Sequence, residues 1–238
     1  MEEFLAQWDI DIEDETKDKL SLYQAMVDKL NDDPENVELL WRLVEACLVV
    51  ADSFEKNKNK AEAKKYTEES LKYAKKSIEV GPKSFQAHKW YCASVGRMAP
   101  LVSTKERIKF GHEFKEHRDL AVEIDSNDRL MHHMYGRWCY EVASLSYIER
   151  KIAETFFAKP PTATYDEALE SLQKADSLRH EWKANHLWLA KAHAALKKYS
   201  ETIKWIDSGL AYPVLTEEDA VSQIELKDLE KSYARYRN

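Results

Sequence analysis

The sequence predicts an all-α fold of helix pairs stacked in series, and three observations predict it. Five Gly and six Pro in 238 residues, with 33% charged and 44% hydrophobic residues, favour helices joined by short turns. Sustained apolar/polar alternation, the mark of a half-buried strand, is absent. The stretch TYDEALESLQKADSLRH at 164–180 spaces Ala168, Leu172 and Ala175 so that small residues fall where two helices of a hairpin touch closely.

That spacing belongs to the second helix of a tetratricopeptide (TPR) unit. The expected fold is an irregular TPR-like α-solenoid of about four helix pairs, with an N-terminal helix and a C-terminal capping helix. Residues 1–15 read as an acidic flexible leader and 16–238 as the helical repeat domain. Leu20, Tyr23, Val27 and Leu30 form one stripe of a first helix, stopped by Asn31-Asp-Asp-Pro34. The pairs then follow at about 35–55 with 60–80, 84–98 with 104–124, 128–157 with 164–178, and 183–196 with 199–211. A last helix at about 216–236 covers the apolar face of the final pair.

Helix breakers set these limits. Gly81-Pro82 ends one helix and starts another, and Pro100 divides the second pair. Pro160-Pro161 ends a long helix, Thr164 with Glu167 forms a capping box, and Pro213 closes the last pair. Pro34, Pro82, Ser126, His180 and Val214 are equivalent hinge points with gaps of 48, 44, 54 and 34 residues, so the array is irregular against a repeat of ~34. Ser70, Ala74 and Ser77 repeat the small-residue pattern, and Gly136, Cys92 and Ala190 are the small contact residues of first helices. Stacked pairs of this kind line an inner face with their first helices.

Charge is divided along the chain. The total is −7, but residues 1–38 carry −10 and residues 56–118 carry +9. An anionic partner is therefore open locally. The first-helix residues Lys89, Arg97, His133, Arg137 and Lys191 are expected to face the groove, with Trp41 at one end beside Glu38 and Glu45. The alternative for some of these cations is an ion pair between helices. A second basic surface is the outer face bearing Lys105, Lys109 and Lys115. Such surfaces suit acidic peptide tails or lipid phosphates. The Lys and Asn set with which chaperone-tail receptors hold a peptide carboxylate is missing, because Trp41, Glu45 and Ala93 stand in its places.

No catalytic or metal constellation emerges. There is no P-loop, HExxH, CxxC pair or GxSxG, and nothing sets a nucleophile beside an oriented base, so a non-enzyme without cofactors is expected. His88, His132 and His186 are equivalent between repeats and read as packing residues. His132 and His133 point about 100° apart on a helix, and His112 and His117 are poorly spaced for chelation. Cys47, Cys92 and Cys139 fall in apolar helices, as buried free thiols of a reducing compartment do. The longest aliphatic run, 46–51, is far short of the ~20 residues of a membrane span, and the acidic start is unlike a secretory leader. Trp8 lies within that start and anchors it to the body or to a partner.

A longer signature appears at 136–175, GRWCYEVASLSYIERKIAETFFAKPPTATYDEALESLQKA, with NVELLWRLVEAC at 36–47 and VGPKSFQAHKWY at 80–91 in the same order. This resembles the regulator of microtubule dynamics family over roughly residues 16–215. The resemblance implies a non-enzymatic, TPR-like microtubule-associated protein acting at spindle microtubules and spindle poles in chromosome segregation. It implies tubulin as partner, a cytoplasmic and cytoskeletal location, and a short cytosolic member without the membrane anchor of some relatives. Relatives at mitochondria take part in organelle contacts and one binds phospholipid, so a phospholipid-binding or transfer module at organelle contacts, with anionic phospholipid as ligand, is the alternative, and a general TPR peptide adaptor is a third reading. Nucleic acid is not expected.

Overall fold

The computed structural model describes residues 1–237 and, among them, twelve α-helices and no strand. The chain divides into two compact units, residues 1–124 and 125–238.

Unit 1 contains α1 (Glu2–Glu13), α2 (Lys19–Asp32), α3 (Val37–Lys56), α4 (Lys60–Val80), α5 (Phe85–Met98) and α6 (Thr104–Ile124), with a 3-10 turn at Ala99–Leu101 between the last two. Side-chain caps fix the starts. Asp18 accepts from the amides of Leu20 and Ser21, Asn36 from those of Glu38 and Leu39, and Ser84 from that of Ala87. Neighbouring helices pack as α2–α3, α3–α4, α4–α5 and α5–α6. Helix α3 is the centre: Leu39, Leu43, Ala46, Cys47, Val50 and Ala51 are buried with Met26 of α2 and Tyr66 of α4. The small residues act as expected. Ser70, Ala74 and Ser77 are fully buried, and the Ser70 hydroxyl meets that of Ser94 at 2.8 Å across α4 and α5.

The acidic start is not a loose leader. Leu5, Trp8 and Ile12 of α1 fall on one helical stripe and are buried in the core with α2 and α3. The Trp8 indole donates to the Leu22 carbonyl at 3.2 Å, and Lys19 Nζ donates to the carbonyls of Ile12 and Asp14 at the end of α1, at 2.7 and 2.6 Å. Trp8 thus anchors the segment to the body. Acidity did not prevent folding because Glu2 and Glu3 sit exposed in the first turn, at the positive end of the helix dipole.

Unit 2 contains α7 (Arg129–Ser144), α8 (Tyr147–Phe156), α9 (Tyr165–Leu178), α10 (Lys183–Ala195), α11 (Tyr199–Ala211) and α12 (Glu217–Tyr233), ending in a 3-10 turn at Ala234–Tyr236. Packing runs α7–α9, α9–α10, α10–α11 and α11–α12. Gly136 permits the first contact, since a Cβ there would lie 2.5 Å from Cγ of the fully buried Leu172. Leu226 of α12 is buried with Leu187, Ala190 and Ile206, so α12 covers the last pair as expected.

One expected helix, 128–157, is two. Helix α7 ends at Ser144, Leu145 is extended, and Ser146 starts α8 with a capping box to Glu149. Helix α8 buries Ala153 and leaves Tyr147, Ile148, Ile152 and Phe156 exposed. The Arg150 guanidinium ties it down through the carbonyls of Val142 and Pro161.

Candidate binding surfaces

The equivalent histidines are structural staples. His88 and His132 each place Nε2 on the carbonyl of the residue six positions earlier, Pro82 at 3.0 Å and Ser126 at 2.9 Å. His186 places Nε2 on Asp176 at 2.7 Å. Each ring pins its helix to the turn or helix before it. All three cysteines are buried free thiols, and burial raises the pKa of Cys47 and Cys92.

Of the expected groove residues in unit 1, Arg97 is committed elsewhere. Its guanidinium on α5 pairs with Asp52 and, at 2.9 Å, with Glu55 on α3. This is the helix-to-helix ion pair that charge alone does not reveal. Trp41 and Lys89 do share a cleft of about 180 Å³, together with Asp9 and Glu13 of α1, Glu45 of α3 and Trp90 of α5. The cleft is not basic: one lysine lines it against three carboxylates. Asp9 is held by both Nε and Nη2 of Arg42, at 2.6 and 2.8 Å, and the Arg42 guanidinium lies 4.0 Å from the Trp41 ring centre. Burial first, then the charge of Glu13, pushes the Glu45 carboxyl up to about 8, against opposing pulls from Lys89 and Arg42 and a further push from Asp9.

The outer face of α6 is partly neutralised. Lys109 lies 3.4 Å from Glu113 and Lys115 lies 2.6 Å from Asp119, both as i,i+4 pairs, while Lys105 is exposed. Exposed pairs of this kind contribute roughly 0–1 kcal/mol to stability.

Unit 2 brings two of the expected cations together. The guanidinium of Arg137 on α7 lies 4.9 Å from the Trp188 ring centre, and Nζ of Lys191 on α10 lies 4.3 Å from the same ring. Lys191 is also held by Glu225 of α12 at 2.5 Å. A cation over an indole face is attracted by the ring quadrupole, by about 0.5–2 kcal/mol. Two turns earlier on α7, Arg129 lies 4.9 Å from the Trp182 ring centre, whose Nε1 donates to Glu218 at 3.3 Å. Arg129 and the two tryptophans were missed as site residues. The signal was the i,i+4,i+8 spacing of Arg129, His133 and Arg137, which sets all three on one stripe of α7.

His133 lies on that stripe but is not a cation. It is buried, its Nδ1 meets Asn185 Oδ1 at 2.9 Å, and its ring centre lies 4.2 Å from that of Trp182. Burial, with lesser contributions from Arg137 and Arg129, brings it down to about 3, so it is neutral at physiological pH. A depressed histidine stabilises the fold fully above its unfolded pKa of ~6.5, and the stability drains away as pH falls toward the folded value. From pH 7 to pH 5, His133 alone should cost unit 2 about 2 kcal/mol. His186 and His193, also lowered by burial, act in the same direction. Hydrogen exchange of α7 and α10 amides, corrected for intrinsic rates, should lose about thirty-fold in protection over that range. Unchanged protection would contradict the neutral assignment.

Among the described residues, no group of histidine, cysteine and carboxylate side chains is arranged to hold a metal, and no helix is long and apolar enough to cross a membrane.

Comparison with known proteins places this architecture. A thermophilic TPR protein of Thermus thermophilus superposes with a TM-score of 0.59 at 13% identity, covering 91% of both chains, which supports the TPR-like fold. Regulator of microtubule dynamics protein 3 of Rattus norvegicus is 35% identical over 194 residues, 81% of this chain and 41% of that protein. Regulator of microtubule dynamics protein 2 of Bos taurus is 30% identical over 218 residues, 91% of this chain and 52% of that protein. The chain thus spans about half the length of the curated relatives it matches. The family described as Regulator of microtubule dynamics protein 1-3 matches residues 4–234. By its helices, its small-residue contacts and this match, the chain belongs to the regulator of microtubule dynamics family.

Proposed function

We propose that the chain is a non-enzymatic, microtubule-associated protein that binds acidic segments of tubulin through the α7–α10 face of unit 2. The observation that carries this reading is the pair of cations, Arg137 and Lys191, on the one ring of Trp188. Acidic tails offer closely spaced carboxylates to such a pair, one of them taking the place of Glu225 on Lys191, and the indole offers an apolar platform to the intervening chain. The names of the relatives supply the microtubule. Action at spindle microtubules and spindle poles in chromosome segregation, from a cytoplasmic pool, belongs to the same proposal.

Co-sedimentation tests it. The chain should pellet with polymerised tubulin at low salt and be released as salt rises, because exposed charges are screened beyond ~8 Å at physiological ionic strength. Removal of the acidic tubulin tails should abolish pelleting, and pelleting that persists without them would overturn the proposal.

A second reading, an anionic phospholipid surface, takes the same cations and adds the exposed ridge Ile148, Ile152 and Phe156 of α8. Flotation with phosphatidylserine vesicles, compared with phosphatidylcholine vesicles, separates it from the first.

A further inference from the structure

The cleft of unit 1 has the opposite chemistry to the α7–α10 face. It lies between α1, α3 and α5 and measures about 180 Å³, below the ~300–1,000 Å³ typical of sites for drug-sized ligands. Such a space suits one side-chain-sized group. Two of its walls are indoles, Trp41 and Trp90. Of its three carboxylates, Asp9 is occupied by Arg42. Glu13 is exposed and Glu45 is half-buried, and no hydrogen bond or ion pair claims either of them among the described residues. Arg42, beside the cleft and not in its lining, stacks on Trp41 while held by Asp9, and Lys89 of the lining lies 5.9 Å from the Trp90 ring centre, so the chain itself shows cations seated on both indoles.

We infer that this cleft is a receptor site for a single cationic side chain, lysine or arginine, of a partner polypeptide, held between the Trp41 and Trp90 indoles with its charge against Glu45 and Glu13. Aromatic faces and desolvated carboxylates both favour a cation and reject neutral isosteres. The groups facing Glu45 are Glu13 and Asp9 from α1, Arg42 from α3 and Lys89 from α5, two carboxylates against two cations, so the cleft carries a net negative charge only when Glu45 is ionised. A neutral Glu45 carboxyl at pH 7 would give up its proton to solvent as the cation enters. The site lies wholly in unit 1, so its success or failure is independent of the tubulin-tail proposal for unit 2.

The test uses the full chain and two blocked tripeptides, Ac-Ser-Arg-Ser-NH2 and the same peptide with citrulline in place of arginine. Titration followed through the indole N–H signals, assigned with Trp41→Phe and Trp90→Phe variants, should show saturable shifts at Trp41 and Trp90 with the arginine peptide. The citrulline peptide should bind at least tenfold more weakly. Glu45→Gln, isosteric with the protonated carboxyl and therefore expected to fold, should weaken arginine-peptide binding about tenfold. Calorimetry at pH 7 in buffers of different ionisation enthalpy should record release of up to one proton per peptide in the unmodified chain and none in Glu45→Gln. Equal binding of the two peptides, shifts away from both indoles, or undiminished binding by Glu45→Gln would each overturn the inference.

Discussion

Replacing Lys183 by methionine should destabilise unit 2 by about 2–4 kcal/mol, the cost of leaving its neutral acceptors without a donor. Lys183 is 1% exposed, yet no carboxylate pairs with it directly among the described residues. Its ammonium instead donates to the carbonyls of Gly209 and Tyr212, both at 2.7 Å, and to Gln223 Oε1 at 2.6 Å. Three donors meet three acceptors, so the charge is fully satisfied. Two of the acceptors sit at the C-terminal end of α11, where the helix dipole is negative and the carbonyls lack helical partners. The third lies on α12, so one side chain ties the start of α10 to both later helices. Methionine keeps the length and leaves one buried acceptor, the Gly209 carbonyl, and two part-buried ones without a donor, at about 1–3 kcal/mol for the buried one and less for the others. Exchange protection should collapse in α10, α11 and α12 and stay unchanged in α3 of unit 1. A loss below about 1 kcal/mol would show that these carbonyls find other partners.

Glu45→Gln should have the opposite effect and stabilise unit 1 by about 3 kcal/mol at pH 7. The folded carboxyl titrates near 8 against an ordinary value of 4.5. The folded state therefore keeps a proton that the unfolded state has released, and stability falls as pH rises from about 4.5 to about 8. Glutamine has no proton to lose. The gain should vanish at pH 4, where both states are protonated, and reach its full size above pH 8. Urea midpoints of the two chains at pH 4, 7 and 8.5 measure it. A midpoint difference that does not change with pH would contradict the raised carboxyl. A residue that weakens its own fold inside an aromatic cleft is the kind of local conflict that binding sites carry.

Much of the helical framework was readable because caps and breakers are short-range signals. Thr164 and Glu167 form the capping box that their spacing promised, and Gly81 closes α4 where the chain passes Val37, whose Cγ2 a Cβ would approach to 2.5 Å. The same Ser-x-x-Glu signature stands at Ser146 and Glu149, but the i,i+4 series Tyr140, Ser144, Ile148, Ile152 and Phe156 runs on through it and hides the break. The acidic composition of 1–15 hid the Leu5, Trp8, Ile12 stripe in a similar way: charge count is an average, and folding depends on which face carries the charge.

The candidate site was readable by residue type and not by commitment. Arg97 and His133 occupy first-helix positions like Arg137 and Lys191, and no spacing rule says that Arg97 meets Asp52 and Glu55 or that His133 is buried against Asn185. Those partners lie 42 to 52 positions away in sequence, so only the packed structure supplies them. The role of Trp188 as a shared seat for Arg137 and Lys191 depends on the angle at which α7 and α10 meet.

The most direct measurement is tubulin co-sedimentation of Arg137→Glu/Lys191→Glu beside Lys105→Glu/Lys109→Glu/Lys115→Glu, each across a salt series. The account predicts that the first variant loses binding at least tenfold and flattens the salt dependence, while the second stays within about twofold of the unmodified chain. Loss confined to the α6 variant, or full binding by a chain whose Trp188 cations have been reversed, would contradict it.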